Sequence, residues 1–518
     1  MSAQEIELKL TLSEEDIRRL ASSPEFTDLT GGIASTRLLR SVYYDTPDAA
    51  LGREKISLRI RDNGKTRVQT AKLDGGLNKG LSQTLEYEDE ITTEVPDIGL
   101  IKDETARRRI EIALADQLLV PLFETYINRT AALIDIAGEG TVELALDIGE
   151  VRAGDKRAPL SEVELELKSG APYTMLSAAE KLFAGVVVAP GTLHKARRGF
   201  ILIGLADAEE EKQATLTSSG KTEITHGMSG AEALRFVGNE ATEQILKNWE
   251  LMLKSPSAEG AHHLRIGLRR LRIALHMLSA KKLGPEFAVL EKRAQGLARI
   301  VGELRDADVL LSDIFNSAAN HLEGIPEGGA FRDVLNAHIE EKRRLVQDSL
   351  QSADWAELKL HCLFFDFLMD RAIARAGSDL KDANVLKYAN KALKKAWRRV
   401  NKWGKRIDEL SPEERHSMRK KLKSLRYVTE FFLPLYSAKT AKPFLKKLQR
   451  LQDVFGYLND VETSRKLFAI VAKSKDTGED ITSQATLIYN WHQGRADVAW
   501  QDARKRWQKL QKTDRFWE

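Results

Sequence analysis

Charged and apolar residues alternate strictly in several short segments of the first 170 residues. The segments are EIELKL (5–10), SLRIR (57–61), TVELALDIGEV (141–151) and SEVELELKSG (161–170). Because successive side chains of a β-strand point to opposite faces, this period of two predicts strands with one charged and one apolar face. SEEDIRRLA (13–21) is instead predicted to form a helix, with Ser13 as its N-cap.

The charged faces of these strands combine carboxylates with basic side chains. The residues that share such faces are Glu5, Glu7 and Lys9; Arg59 and Arg61; Glu143 and Asp147; and Glu162, Glu164, Glu166 and Lys168. A sheet with one solvated face accounts for any single strand. If the strands close into one sheet, the charged faces line a lumen, where carboxylates suit Mg²⁺ or Mn²⁺ and basic residues suit phosphate oxygens. The pattern favours a polyanionic phosphate over a neutral ligand.

The hydrophobic period changes after about residue 205. Residues 206–224 are charged, small and polar, which is typical of a linker. From residue 225 onward, apolar residues recur every three or four positions, with few Gly or Pro. This spacing predicts an all-α domain over residues 225–518.

The helical part contains an internal repeat with an offset of 154 residues. HHLRIGLRRLR (262–272) resembles HSMRKKLKSLR (416–426), and LARIVGELRDADVL (297–310) resembles LQDVFGYLNDVETS (451–464). Because one offset relates two separated blocks, we expect two related helical bundles that pack as a pseudo-symmetric pair. The predicted bundles are residues 230–375 and 385–518.

Each copy of the repeat carries a basic helix face, because its basic residues are spaced three and four apart. These residues are His262, Arg265, Arg269 and Arg272 in the first copy, and His416, Arg419, Lys423 and Arg426 in the second. Residues 391–406 add eight Lys/Arg and no acid. A solvated face is one explanation, but like charges at this spacing destabilise a helix unless an anion compensates them. We therefore expect a groove that binds a polyanion.

Composition limits the possible partners and the location. Net charge is only +4 despite 80 Lys and Arg, so attraction of anions must come from local clusters. The single cysteine, Cys362, excludes an intrachain disulfide and a cysteine metal site. Because a secretory signal pattern and an apolar run of about 18 residues are both lacking, we expect a cytoplasmic location and no membrane partner.

The N-terminal motifs resemble those of the CYTH superfamily. EIELK at 5–9 matches its ExExK motif, and the later motifs follow in the family's order. These are VYYDTPD (42–48), LRIR (58–61), Lys72, Arg129, LALDIGEV (144–151), SEVELELKSG (161–170) and HKARRG (194–199). The helical part resembles the CHAD domain through HxxRxxxRRLR at 262–272 and its copy at 416.

The two resemblances imply a domain order and an α+β fold class. Residues 1–205 would be a CYTH domain, a closed antiparallel β-barrel called the triphosphate tunnel, with flanking helices. After the linker, residues 225–518 would be an all-α CHAD domain of two pseudo-symmetric bundles.

The CYTH resemblance also implies roles for individual residues. The implied metal ligands are Glu5, Glu7, Asp147, Glu162 and Glu164, with Glu166 as the alternative for one of the last two. The implied triphosphate ligands are Lys9, Arg59, Arg61, Lys72, Arg129 and Lys195. Lys72 and Tyr43 are candidates for proton transfer, with phosphate binding and packing as their respective alternative roles. QTLEYEDE (83–90) departs from the family pattern because it lacks an arginine that relatives often place there.

The resemblance implies Mg²⁺- or Mn²⁺-dependent hydrolysis of inorganic triphosphate, with polyphosphate bound by the CHAD domain. One alternative is a CYTH enzyme that acts on thiamine triphosphate, or on ATP as an adenylate cyclase. Another is a polyphosphate-binding scaffold with little or no activity. Nucleic acid is the rival ligand of the basic helices, but polyphosphate is preferred because no recognised nucleic-acid motif is present.

Overall fold

The computed structural model describes residues 3–62, 64, 66–73, 77–78, 81–191, 193–206, 224–278, 283–376, 384–473 and 479–518. The predicted linker, 206–224, lies outside the described residues except at its two ends. The chain divides into two compact units. The first comprises Met1–Ala214 and Lys359–Leu368, and the second comprises Thr215–Leu358 and Met369–Glu518.

An antiparallel sheet forms the centre of the first unit. Its strands are β1 (Ala3–Thr11), β2 (Ser35–Asp45), β3 (Ile56–Asp62), β4 (Arg67–Leu73), β5 (Leu77–Asn78), β6 (Leu81–Ile91), β7 (Val120–Ile136), β8 (Gly140–Ala153), β9 (Lys156–Gly170) and β10 (Ala189–Pro190). Eight of them pair in the order β1-β9-β8-β7-β2-β3-β4-β6, and β6 pairs back onto β1. The predicted closed antiparallel barrel is confirmed, and the four alternating segments lie in β1, β3, β8 and β9.

Short helices lie between the strands and after the last strand. They are α1 (Glu14–Ala21), α2 (Pro24–Thr30), α3 (Ala50–Arg53), α4 (Glu104–Leu114), α5 (Tyr173–Leu182) and α6 (Lys195–Ile203), with a 3₁₀ turn at Ile98–Leu100. The predicted cap of α1 is confirmed, because the Ser13 side chain accepts a hydrogen bond from the backbone N–H of Asp16. Such a cap contributes about 1 kcal/mol.

The apolar strand faces point outward and are covered by helices. Leu144 and Leu165, on neighbouring strands, are fully buried, as are Met175 and Ala179 of α5. Burying a leucine side chain contributes roughly 1.5–3 kcal/mol, so these helices stabilise the barrel from outside. The charged faces are therefore left pointing into the barrel.

From residue 224 onward the named elements are helical. They are α7 (Gly230–Lys254), α8 (Ala258–Leu278), α9 (Pro285–Val309), α10 (Asn316–Ala319), α11 (Ala330–Gln351), α12 (Ala356–Leu363), α13 (Phe365–Ala376), α14 (Val385–Gly404), α15 (Pro412–Phe432), α16 (Ala438–Thr463), α17 (Lys466–Lys473) and α18 (Glu479–Gln511). A π-helical turn at Leu310–Phe315 follows α9, and short 3₁₀ turns lie at Ala353–Trp355, Ile407–Glu409 and Leu433–Leu435.

The repeat inferred from the sequence reappears in the helix bounds. α15 begins and ends 154 residues after α8, and α16 reproduces the bounds of α9 to within one residue. The α14, α15, α16 and α18 helices enclose an aromatic-rich core that includes Trp397, Phe444 and Trp507. Across the described residues, no helix is both long and apolar enough to cross a bilayer.

Candidate active site

The barrel encloses a cavity of about 1080 Å³ that the charged strand faces line. Exposure rises steadily along the lumen side of β9, where the side chains of Glu162, Glu164, Glu166 and Lys168 are 2%, 7%, 27% and 37% exposed. On β2 the exposure rises in the same way, from buried Tyr43 to exposed Arg37. The lumen is therefore more buried near Glu162 and Tyr43, called the inner end here, than near Lys168, called the mouth here. The exposed residues Arg53 and Lys55 also line the cavity.

Three carboxylates meet near the inner end of the lumen. Asp147 on β8 lies directly opposite Glu162 on β9, and Glu164 follows on the same face. All three are buried, and one oxygen from each lies within 4.8 Å of the others. Hard oxygen donors at this separation suit a divalent cation such as Mg²⁺ or Mn²⁺.

Lys195, the first residue of α6, reaches into this carboxylate cluster. Its Nζ lies 2.9 Å from Asp147 Oδ2, 2.5 Å from Glu162 Oε1 and 2.6 Å from Glu164 Oε1. Burial alone would lower the pKa of Lys195, but the three carboxylates raise it above its usual value. The Lys195 ammonium thus neutralises part of the negative charge of the three carboxylates, which a bound metal would also neutralise.

Arg129 and Lys9 flank the same cluster. Arg129 Nε lies 2.7 Å from Asp147 Oδ1, and its Nη2 lies 2.6 Å from Oδ2, a bidentate pair. Lys9 and Arg129 both also contact Glu164. Burial would raise the pKa of Glu164, but its three basic neighbours hold it well below its usual range.

Glu5 and Glu7 lie on β1 beside this cluster but have different partners. The Glu7 carboxylate lies 2.8 Å from Lys9 Nζ, and burial followed by the charge of Glu164 raises its pKa to about 7. Glu5 accepts hydrogen bonds from Lys72 Nζ at 2.5 Å and from Thr84 Oγ1 at 2.8 Å. The lumen thus brings Glu7 next to the basic residues of the cluster, whereas Glu5 pairs with Lys72.

The two β3 arginines carry charge that is poorly neutralised. Arg59 Nη2 lies 3.9 Å from the Glu86 carboxylate, and Arg59 Nη1 lies 3.5 Å from the Tyr43 hydroxyl. The neighbouring Arg59, followed by burial, lowers the pKa of Arg61 to about 10. Two arginines that repel each other in a buried cavity make a favourable site for phosphate oxygens.

The α6 helix packs against the barrel beside the inner end of the lumen. A Cβ at Gly199 would lie 2.1 Å from the Phe123 ring, so only glycine permits this close approach. Phe123 in turn stacks on Tyr43, with ring centroids 4.8 Å apart. The aromatic stack thus fixes α6, and with it Lys195, against the barrel.

Eleven of the thirteen residues predicted for the lumen line the cavity, whereas Asp147 and Glu162 are buried against Lys195. Further residues of the site were not predicted from the sequence. Glu86 and Glu88 on β6 line the cavity, as does His194 before α6. Arg37 on β2 lies directly opposite Arg129 on β7. The alternation in QTLEYEDE was a signal for the β6 residues, but alternation alone does not distinguish a lumen face from a solvated one.

A second charged cavity, of about 520 Å³, lies in the second unit and is called the basic groove here. Six of the eight predicted polyanion ligands line it, namely Arg265, Arg269, Arg272, His416, Arg419 and Lys423. Arg426 pairs instead with Glu430 at 2.7 Å, and His262 is not among the lining residues. The groove also contains His276, Lys395, Arg399, Lys420 and Lys421.

The groove concentrates positive charge from both copies of the repeat. Burial lowers the pKa of Lys423 to about 6, and the neighbouring Arg269 and Arg419 add to this shift. Arg265 is partly neutralised by Asp306, at 3.4 Å. Excess positive charge in a half-buried cavity favours an anionic ligand.

Two family models match successive parts of the chain. The family described as CYTH domain matches residues 3–199, and the family described as CHAD domain matches residues 237–469. The solved CHAD domain from the plant Ricinus communis shares the fold, with a TM-score of 0.50 and 20% identity, and the match covers 57% of this chain and 97% of that one.

Two curated relatives differ in how much of the chain they match. An inorganic triphosphatase of Haemophilus influenzae is 33% identical over 205 residues, 38% of this chain and 55% of that protein. The chain therefore spans about half the length of that relative. An uncharacterized protein of Mycobacterium tuberculosis is 23% identical over 527 residues, 96% of this chain and 93% of its own length.

Proposed function

Because the chain contains a CYTH domain at residues 3–199 followed by a CHAD domain at 237–469, we propose that it hydrolyses inorganic triphosphate to diphosphate and phosphate. The similarity to the Haemophilus inorganic triphosphatase supports this substrate. The observation that carries the proposal is the lumen itself, where buried carboxylates face buried arginines and lysines in one closed barrel.

Mg²⁺ or Mn²⁺ is the proposed cofactor. Asp147, Glu162 and Glu164 would hold it, because their oxygens are already clustered, and Glu5 and Glu7 are the further proposed ligands. When bound, such a metal supplies a Lewis acid for phosphate oxygens and lowers the pKa of a bound water. The two neighbouring β3 arginines, Lys9, Lys72, Arg129 and Lys195 would hold the phosphate oxygens.

The chain's own residues would do the electrostatic work of the reaction. Water adds to a terminal phosphorus and gives up a proton to the solvent, the bond from that phosphorus to the bridging oxygen breaks, and diphosphate leaves. Negative charge then grows on the bridging oxygen, where buried cations stabilise it more strongly than water would. Lys72 contacts carboxylate oxygens in the structure, and this favours phosphate binding over proton transfer as its role. The Tyr43 hydroxyl would orient Arg59.

We further propose that the basic groove binds polyphosphate. The two repeat copies supply arginines to one cavity, and this arrangement suits a flexible chain of phosphates better than a single small anion. Nucleic acid stays the rival ligand, and the cytoplasmic location stays a prediction from the sequence.

Phosphate release tests the choice of substrate. The full chain would be incubated with inorganic triphosphate, ATP, thiamine triphosphate and long-chain polyphosphate, each with Mg²⁺, with Mn²⁺ and with EDTA. We expect metal-dependent release mainly from inorganic triphosphate. Faster release from ATP or thiamine triphosphate would favour the organic-substrate alternative. No release from any substrate, with polyphosphate still bound, would favour the scaffold alternative.

A further inference from the structure

We propose that inorganic triphosphate enters the lumen at the end opposite the mouth, where Arg53, Lys55 and Arg197 form a cationic entrance. The inference deepens the proposed function and rests on it. These three residues line the cavity and are called the basic rim here. Arg53 ends α3, Lys55 directly precedes β3, and Arg197 lies in α6.

The strand directions place the basic rim and the mouth at opposite ends of the barrel. β3 and β9 run in the same direction, because β2, β7 and β8 lie between them and every neighbouring pair is antiparallel. Lys55 directly precedes the first residue of β3, whereas Lys168 lies near the last residue of β9. Because Arg53 and Lys55 are exposed and yet line the cavity, the cavity reaches the surface at this second end.

The two ends of the cavity differ in the balance of their charges. At the mouth, Lys168 is held by Glu166 at 2.6 Å and by Glu143 at 3.2 Å, so two carboxylates face one ammonium. At the basic rim, Arg53 pairs with Asp48 at 2.7 Å. Even with that pair counted as neutral, Lys55 leaves positive charge at the rim. A polyanion is therefore attracted to the rim and repelled from the mouth.

Lys55 is the member of the basic rim whose charge is best placed to act on a substrate. No carboxylate of the described residues forms an ion pair with its ammonium. Its backbone φ is 58°, a left-handed conformation that residues other than glycine seldom adopt. This conformation is unfavourable to stability, and residues strained in this way cluster at ligand sites. The strain thus agrees with a binding role for Lys55.

His194 extends the path of the anion inward from the basic rim. It lines the cavity and directly precedes Lys195 in the chain. Burial, followed by the charges of Lys9 and Lys72, lowers its pKa to about 4, so the imidazole is neutral at neutral pH. Its Nε2 is buried and has no hydrogen-bond partner among the described residues. An entering triphosphate would therefore meet an unused hydrogen-bonding nitrogen next to the proposed phosphate ligand Lys195.

The test is a charge series at Lys55. Both kcat and kcat/KM for inorganic triphosphate would be measured with excess Mg²⁺ for the full chain and for Lys55→Arg, Lys55→Gln and Lys55→Glu. At roughly 20 mM salt we expect kcat/KM to fall about threefold in Lys55→Gln and about tenfold in Lys55→Glu, with kcat nearly unchanged. Lys55→Arg keeps the charge and should match the wild-type chain. At roughly 300 mM salt the losses should shrink to less than about twofold, because salt screens a solvated entrance.

Lys168→Gln is the matched control, because it removes one cation from the mouth. If triphosphate enters at the basic rim, this variant should change kcat/KM less than about twofold. A larger loss in Lys168→Gln than in Lys55→Gln would overturn the proposal and place the entrance at the mouth. A charge series at Lys55 that leaves kcat/KM unchanged would overturn it as well.

The proposed function can fail separately from the entrance. If the wild-type chain releases no phosphate from triphosphate, that function fails by itself, and dissociation constants of triphosphate measured by calorimetry replace kcat/KM. The same order of the Lys55 variants is then expected, with the same loss of the differences in high salt. Equal affinities across the charge series would overturn the entrance.

Discussion

Lys195 shows how single residues balance charge in the lumen. Its ammonium contacts three carboxylates that would otherwise repel one another. Glu164 plays the reverse role, because Lys9, Arg129 and Lys195 all surround it. Removing one member of such a buried group leaves its partners without compensation, which costs about 3–5 kcal/mol.

Glu164→Gln should therefore harm both stability and activity. We expect the free energy of unfolding to fall by about 3 kcal/mol, because three buried cations lose a shared carboxylate. Turnover of triphosphate should fall about a hundredfold. Thermal unfolding and phosphate release measure the two effects.

Glu166→Gln is the matched control for Glu164→Gln. Glu166 is more exposed and pairs with Lys168, so its variant should change turnover less than about threefold. Equal losses in the two variants would contradict the assignment of Glu162 and Glu164 as the metal-binding pair of β9.

Among the secondary-structure elements, α6 determines where Lys195 lies in the site. It brings Lys195 to the carboxylate cluster, and Gly199 allows it to lie against Phe123. The position of the lysine thus depends on a contact one helical turn away.

Gly199→Ala should displace α6 from the barrel. The added methyl group would overlap the Phe123 ring, and a shift of about 1 Å in a ligand can cost on the order of 100-fold in rate. Gly494→Ala is the control, because a Cβ there meets nothing within 4 Å. A folded Gly199→Ala chain with wild-type phosphate release would show that α6 does not fix Lys195.

In the basic groove, polyphosphate binding at pH 7.5 should take up a proton. The pKa of Lys423 is lowered to about 6, so its amine is mostly neutral in the free protein, and a bound anion raises that pKa again. Since the bound state holds more protons, affinity should fall as pH rises above 6. Calorimetry in two buffers of different ionisation enthalpy measures the uptake.

Lys423→Met should abolish this proton uptake, whereas Lys439→Met, at an exposed position of α16, should preserve it. Uptake that persists in Lys423→Met would assign the proton to another group of the groove.

The elements predicted from the sequence are those with a clear residue pattern within their own segment. β1, β3, β8 and β9 show clean alternation, and the helical repeat shows one constant offset. β7, the longest strand, was not predicted from its pattern, because YINRTAALIDI mixes small and apolar residues on both faces. The pairing of β1 with β6 that closes the barrel depends on contacts between distant residues, and a local pattern carries no information about them.

For the site, the sequence indicated many of the residues but not the contacts between them. Family motifs indicated residues such as Asp147 and Arg129, but their bidentate pairing follows from the register of β7 and β8. Glu86 and Glu88 were missed because their place in the lumen depends on barrel closure. His262 and Arg426 share a helix face with groove residues, yet they do not line the groove.

At the scale of the whole molecule, the described charged side chains line two cavities. Net charge is only +4, with 80 basic and 76 acidic residues, so the overall field is weak. The lumen in the first unit mixes both signs of charge, which suits metal-assisted chemistry on a phosphate. The groove in the second unit is mainly basic, which suits binding alone.

The most direct test of the central claim is phosphate release from inorganic triphosphate by the full chain, compared with Asp147→Asn, in Mg²⁺ and in EDTA. The account predicts rapid release with Mg²⁺, and about a hundredfold less in EDTA or in Asp147→Asn, because the buried carboxylates are needed for turnover. Release in EDTA, or by Asp147→Asn, that is as fast as release by the wild-type chain with Mg²⁺ would contradict a metal-dependent active site in the barrel.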